Sequence, residues 1–347
     1  MSPFGFHEDD PVFVIAEMSA NHGRDIDVAV RIMEAARDAG ADAVKVQTYT
    51  PDTLTIDCDN EHFIIKGTPW DGQSLYDLYR EAFTPWDWQP RLKEVAEDLG
   101  LVFFSTPFDS TAVDFLEDMD VPLYKIASFE NVDLPLIRLV ASTGKPVIMS
   151  TGMASEEELD ESVSAFREAG GRQLILLKCT SAYPAPPDEV NLKTIAYLRD
   201  KFSLPVGLSD HTLGKDVALA AVALGARVVE KHFCLDRSTA GPDSSFSMEP
   251  DEFKQMVQGI RVVERAIGAV DFSLTEKQKA SAAFRRSLFV VEDVREGEPF
   301  TKRNIRSIRP GYGLHTRHYE EALGKRASRP IRRGTPLTLD MLGEFES

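Results

Sequence analysis

Two histidines, His211 and His232, stand 21 positions apart in the stretch GLSDHTLGKDVALAAVALGARVVEKHF. Each follows a short apolar run, and an Ala/Val/Leu-rich segment of helical character separates the runs. A single buried histidine is more often a satisfied hydrogen-bonder than a ligand. Two at the ends of successive strands, with the carboxylates of Glu17, Asp210 and Glu230 at neighbouring strand ends, favour a divalent transition metal. Two protein ligands leave positions on the ion for water and substrate, as a catalytic metal requires.

Two lysines pose a second question. Lys45 and Lys125 sit inside the apolar runs AVKVQT and LYKIAS, where lysine is seldom buried unless paired. A structural ion pair and a Schiff-base lysine are both open readings. The hydroxyls of Thr106, Ser128, Ser150 and Ser209 at other strand ends favour a third, an anion site holding a phosphate and a carboxylate together. Gln47 lies two residues beyond Lys45 and shares its face. Asn21, His22, Glu130, Lys178, Ser181 and Tyr183 also follow or end apolar runs.

These positions matter because of the elements that carry them. Eight apolar runs, at 11–17, 43–48, 101–107, 123–128, 146–152, 174–181, 205–210 and 228–233, alternate with amphipathic segments, several ending in glycine. The alternation predicts parallel strands with crossover helices, and eight strands close a (β/α)8 barrel whose chemistry lies at the C-terminal strand ends. An open doubly wound sheet would want a Gly-rich phosphate loop after its first strand, and EMSANHG is not one. Residues 49–85, after the second strand, exceed a plain βα loop and should cover the barrel mouth.

After about residue 270 the pattern changes. GEPFTKRNI and GTPLTLDML repeat the form G-x-P-[FL]-T-x-x-x-[IL]. We therefore expect a barrel over 1–270, a linker helix over 271–286 and a small domain over 287–347.

The 347-residue chain carries a formal net charge of −17, which argues against nucleic acid as a partner. From Arg285 onward, however, 13 Lys and Arg face 9 Asp and Glu, so the tail is basic against an acidic remainder. No apolar run reaches the about 18 residues of a membrane span. No secretory signal is visible, and three cysteines, Cys58, Cys179 and Cys234, fit a reducing cytoplasm.

With these residues in place the chain resembles the sialic acid synthase family, phosphoenolpyruvate-condensing enzymes that make nine-carbon 2-keto sugar acids. VKVQ, STPFD, YKIAS, STGM, GLSDHT, EKHF and GPD fall in family order, and SIRPGYGL followed by ALGKRASRPIRRGTPL resembles its C-terminal antifreeze-like (SAF, β-clip) domain. Ser181 stands where sialic acid synthases tend to carry asparagine. AEMSANH, YTPDT and GPDSSFSMEP lean toward the branch that uses 2,4-diacetamido-2,4,6-trideoxy-altrose. The resemblance implies a divalent ion on His211 and His232, Mn2+ first, with Mg2+ or Co2+ as alternatives. It implies that Glu17 orients water and that Glu130 acts as acid/base at the sugar aldehyde. Lys45, Lys125, Thr106, Ser128, Ser150 and Ser209 would grip phosphoenolpyruvate, and Gln47, Tyr183 and Asp243, with Ser181, the acylamino deoxy sugar. It further implies a domain-swapped homodimer in which Arg309 of RPGYG reaches the partner's sugar.

Overall fold

Apolar runs flanked by capped amphipathic segments fold as the spacing predicts. The computed structural model describes residues 10–67, 70–239 and 241–345. The extreme N-terminus, Thr68 and Pro69 of the long insertion, and Ala240 lie outside the described residues. Two compact units divide the chain, Met1–Gly268 and Ala269–Ser347.

In the first unit β1 (Phe13–Glu17), α1 (Ile26–Ala39), β2 (Ala43–Thr48), α2 (Pro51–Leu54), α3 (Leu75–Ala82) and α4 (Gln89–Asp98) lead to β3 (Val102–Pro107) and α5 (Ser110–Asp118). Then follow β4 (Tyr124–Ile126), α6 (Leu134–Ser142), β5 (Val147–Ser150), α7 (Glu156–Glu168), β6 (Leu174–Cys179), α8 (Lys193–Phe202), β7 (Val206–Asp210), α9 (Asp216–Ala223), β8 (Val228–His232) and α10 (Pro250–Ile267). The eight strands close in sequence order into a parallel barrel, with β8 paired to β1. Local chemistry sets the helix ends. Asp25 accepts the amides of Asp27 and Val28 to start α1, and Gly40, at φ 92°, ends it in the left-handed region.

Strand alternation sorts the barrel residues. Ile15, Ala43, Phe104, Leu123, Ile148, Ile175, Leu177 and Val228 form an apolar plug inside the barrel. The opposite faces, among them Val14, Val44, Phe103, Met149 and Val229, join the surrounding core with the helices. The inward residues next along the strands toward their C-terminal ends are polar: Glu17, Lys45, Thr106, Lys125, Ser150, Ser209 and Glu230, all buried. The fold thus plugs the barrel with hydrocarbon and opens a polar layer above it.

The described residues of the long insertion carry their own caps. Thr50 and Thr53 form a capping box around α2, and Ser74 caps α3. Ile64 bridges Ser74, closing the loop between them.

The second unit contains α11 (Glu276–Ser281), β9 (Ser287–Val290), β10 (Ile305–Ile308), α12 (Tyr319–Ala322), β11 (Lys325–Ala327) and β12 (Leu342–Phe345). β9 pairs antiparallel with β10, and β11 with β12. Leu288, Val290, Phe300, Ile305, Ile331 and Leu337 form its own core. The two repeat copies supply matching turns, each with a left-handed glycine, Gly297 and Gly334. Among the described residues no helix is long and apolar enough to cross a membrane.

Candidate active site

The polar layer begins as a charge cluster. Glu17 and Lys45 are paired across β1 and β2, and Lys45 Nζ lies 2.6 Å from Glu17 Oε2 and 3.8 Å from Glu230 Oε2. Lys125 Nζ lies 3.7 Å from Glu230 Oε1 and donates to Ser150 Oγ at 2.6 Å and the Ile126 carbonyl at 3.1 Å. Lys45 reaches Thr106 Oγ1 at 3.4 Å, and Ser209 Oγ donates to Glu230 Oε1 at 3.1 Å. The ion-pair reading is therefore physically present. Buried pairs gain little over an apolar core, so a cluster of four charges at a strand-end mouth needs a purpose beyond stability.

Burial alone would lower both ammonium groups. For Lys45, Glu17 and Glu230 outweigh burial and hold it above the ordinary lysine range. For Lys125, burial prevails over the attraction of Glu230 and lowers it. Glu17 is raised by burial and by Glu230, against Lys45. Glu230 is lowered because Lys125 and Lys45 overcome its burial.

Above this layer the two histidines meet. Their ring centroids are 5.4 Å apart. The Nδ1 of His211 lies 3.0 Å from the Thr180 carbonyl, which as an acceptor fixes the proton on Nδ1 and leaves Nε2 as a lone-pair donor. Burial pulls His211 down, but Cys179, the Thr180 carbonyl and Glu230 outweigh burial and raise it, whereas His232 is held well below the ordinary range, chiefly by burial, and is neutral. Its buried Nδ1 has no hydrogen-bond partner. Two neutral-capable imidazole nitrogens in one buried place, one of them otherwise unsatisfied, fit an open divalent site. Among the described residues no three His, Cys, Asp or Glu gather as a metal cluster.

Two positions differ from the sequence reading. Asp210 lies one residue out of phase with Ser209 and His211 and faces the outside of the barrel, where it pairs with Lys231 rather than joining the histidines. His22 is fully buried; its ring bonds Thr84 Oγ1 at 3.1 Å and accepts from the Arg24 amide, a structural tie. Burial, with Arg24, lowers it to about 4.

A cavity of about 380 Å³ opens beside His232. Gln47, Glu130, Tyr183 and Asp243 line it, joined by Leu54, Ile65, Trp70, Leu78 and Tyr79 of the insertion. Gln47 donates to Glu17 Oε1 and Ser19 Oγ, each at 3.0 Å. The Asp243 carboxylate accepts from the Ser19 hydroxyl and, at 3.4 Å, from the Ala20 amide. The Tyr183 ring lies 4.4 Å from His211 and 6.4 Å from His232. Glu130 is raised to about 7, chiefly by burial, and its Oε2 is buried without a partner. A larger cavity of about 790 Å³ takes in Lys178 and Asn191 beside α7 and α8, but it contains neither histidine nor the charge cluster.

Ser128 and Ser181 converge on Gly152. The Gly152 amide donates to Ser128 Oγ at 3.2 Å, and a Cβ at 152 would stand 2.3 Å from Ser181 Oγ. The glycine is required for that approach. Arg309 lies in the second unit, exposed, before a cis proline. Ser19, a non-glycine at φ 45° that ties Gln47 to Asp243, gave no advance signal; Cys179, beside the site in sequence, has its thiol 3.8 Å from His211 Nδ1.

Comparison with known proteins places the chain in a family. Residues 32–271 match the NeuB family model, and residues 285–343 match the SAF domain. The chain is 48% identical over 332 residues to the pseudaminic acid synthase of Campylobacter jejuni subsp. jejuni serotype O:23/36 (strain 81-176), covering 96% of this chain and 97% of that one. It is 44% identical to the pseudaminic acid synthase of Helicobacter pylori, covering 95% and 97%. The structure of an N-acetylneuraminic acid synthetase from Leptospira borgpetersenii superposes with a TM-score of 0.70 at 32% identity, covering 78% and 90%. The barrel followed by a SAF domain is the arrangement of the NeuB family, to which this chain belongs.

Proposed function

We propose that the protein condenses phosphoenolpyruvate with 2,4-diacetamido-2,4,6-trideoxy-altrose and releases phosphate, as a pseudaminic acid synthase. The observation that carries this is one mouth in which a buried two-lysine cluster, two imidazoles and a carboxyl tuned near neutrality adjoin a cavity with an apolar wall. The identity of the relatives supports the choice of sugar.

Lys45 and Lys125, with the hydroxyls of Thr106, Ser128, Ser150 and Ser209, hold the phosphate and carboxylate of phosphoenolpyruvate through charge-assisted hydrogen bonds. His211 and His232 would hold a divalent cation, with Mn2+, Mg2+ and Co2+ as candidates. When bound, it supplies Lewis-acid polarisation of the open-chain sugar aldehyde. C3 of phosphoenolpyruvate forms the new bond to the aldehyde carbon, and Glu130 gives the developing alkoxide its proton. Cationic character develops at C2. Glu17 orients the water that adds there; one of its protons restores the Glu130 carboxyl, and the other leaves with phosphate as the C2–O bond to phosphate breaks and the C2 carbonyl forms. Gln47, Tyr183 and Asp243 position the sugar, with Ser181 at its edge. The basic second unit covers the mouth of a partner in a homodimer, bringing Arg309 to the sugar.

The test measures phosphate release from phosphoenolpyruvate with Mn2+, offering the altrose-type sugar and N-acetylmannosamine side by side. Release with the altrose sugar alone, abolished by a chelator and by His211→Ala, is expected. Release with N-acetylmannosamine instead would move the product to sialic acid, and release with neither would end the proposal.

A further inference from the structure

Each histidine has a charged neighbour in sequence, Asp210 before His211 and Lys231 before His232. The two are Cα partners at the end of the β7–β8 ladder. Ser209 and Glu230 face the barrel interior, so Asp210 and Lys231 face out, into the layer between the strands and the helices. There they are 2% and 1% exposed, and Lys231 Nζ lies 2.7 Å from Asp210 Oδ2. The ammonium also donates to the Thr212 carbonyl at 2.6 Å. Asp210 Oδ1 in turn accepts from the Thr212 amide at 2.9 Å and the Thr212 hydroxyl at 2.8 Å.

The consequence is geometric. Lys231 is bonded to the residues on both sides of His211 and is covalently next to His232. His211 lies just past the end of β7, where ladder bonding stops. Its carbonyl accepts from the Ala185 amide and its ring meets Thr180, but neither contact ties it to β8. The bonds of Lys231 do. A buried ion pair is commonly no more stabilising than an apolar pair of the same volume, so what this one supplies is a fixed relation between two strand ends.

We propose that Asp210, Lys231 and Thr212 form a clasp outside the barrel that sets the spacing of His211 and His232, and that the affinity of the metal site depends on it. These are positioning residues; none faces the mouth. The inference rests on the two histidines binding a divalent ion.

Removing one charge alone would strand the other, so the main variant is Asp210→Asn with Lys231→Met, which removes both and nearly keeps the shape. Mn2+ affinity is measured by calorimetry on the purified full chain, together with melting temperature and phosphoenolpyruvate affinity without metal. The clasp predicts Mn2+ binding weakened about 10- to 100-fold, the range for residues that orient metal ligands. Melting stays close to the parent's, and phosphoenolpyruvate affinity changes by less than about twofold, because the lysine cluster is untouched. A folded variant that binds Mn2+ like the parent overturns the clasp alone. A parent that binds none of Mn2+, Mg2+ and Co2+ overturns the metal reading and the clasp with it. If the double variant does not fold, Thr212→Val decides. It removes one hydroxyl donor and leaves the ion pair, so about threefold weaker Mn2+ binding supports the clasp and unchanged binding sinks it.

Discussion

Glu130 carries a carboxyl that burial raises to about 7, against the pull of Lys125. Near neutral pH such a group is divided between acid and base, the state in which general acid catalysis is most effective. Its linkage to stability has a definite sign. The folded protein holds this proton to higher pH than the unfolded chain, so the native state binds more protons between about 4.5 and 7, and stability falls as pH rises through that window. Above it the cost of a buried carboxylate is complete. Glu130→Gln is therefore expected to lose about 100-fold or more in kcat, with a pH–rate profile that no longer bends near 7. It should also melt above the parent at pH 8 and alongside it at pH 4. A variant with the parent's pH–rate bend would assign that bend, and the proton transfer, to another group.

At the scale of elements, what was legible in sequence was what a period imposes. Parallel strands covered on both faces read as continuous apolar runs, so all eight were visible, and their order followed from closure. The same period of two explains the misplaced residue. Asp210 was grouped with the histidines by proximity, although its parity against Ser209 and His211 already assigned it outward. Contacts between distant loops had no such signal. Ser19 meets Asp243, and the Trp70 indole donates to the Pro242 carbonyl at 3.2 Å, joining segments that share no local pattern. The Trp70 ring lies 6.0 Å from Tyr183, so α2, α3 and their loop are tied to both the β6 and β8 ends over the cavity. Trp70→Ala is expected to raise the KM for the sugar about tenfold and leave the KM for phosphoenolpyruvate nearly unchanged, because the lysine cluster lies beneath. Equal increases in both constants would mean that the insertion braces the whole mouth instead.

Over the whole molecule the charge is divided. The residues from Arg285 onward carry a surplus of cations, while the chain as a whole carries −17. The two units carry opposite net charge, and in the homodimer proposed above each small unit would lie over the other barrel. In such a dimer no chain completes its own site. The arrangement has an arithmetic signature. There Lys125→Ala would disable the barrel part of the site, and Arg309→Ala the part supplied by the second unit. Each homodimer should be nearly inactive. Refolded together in equal amounts, about half the dimers are mixed, and each mixed dimer has one site built from an intact barrel and an intact second unit, so about a quarter of the parental activity should return. If each chain instead completed its own site, every site would contain one defect, and mixing would return nothing.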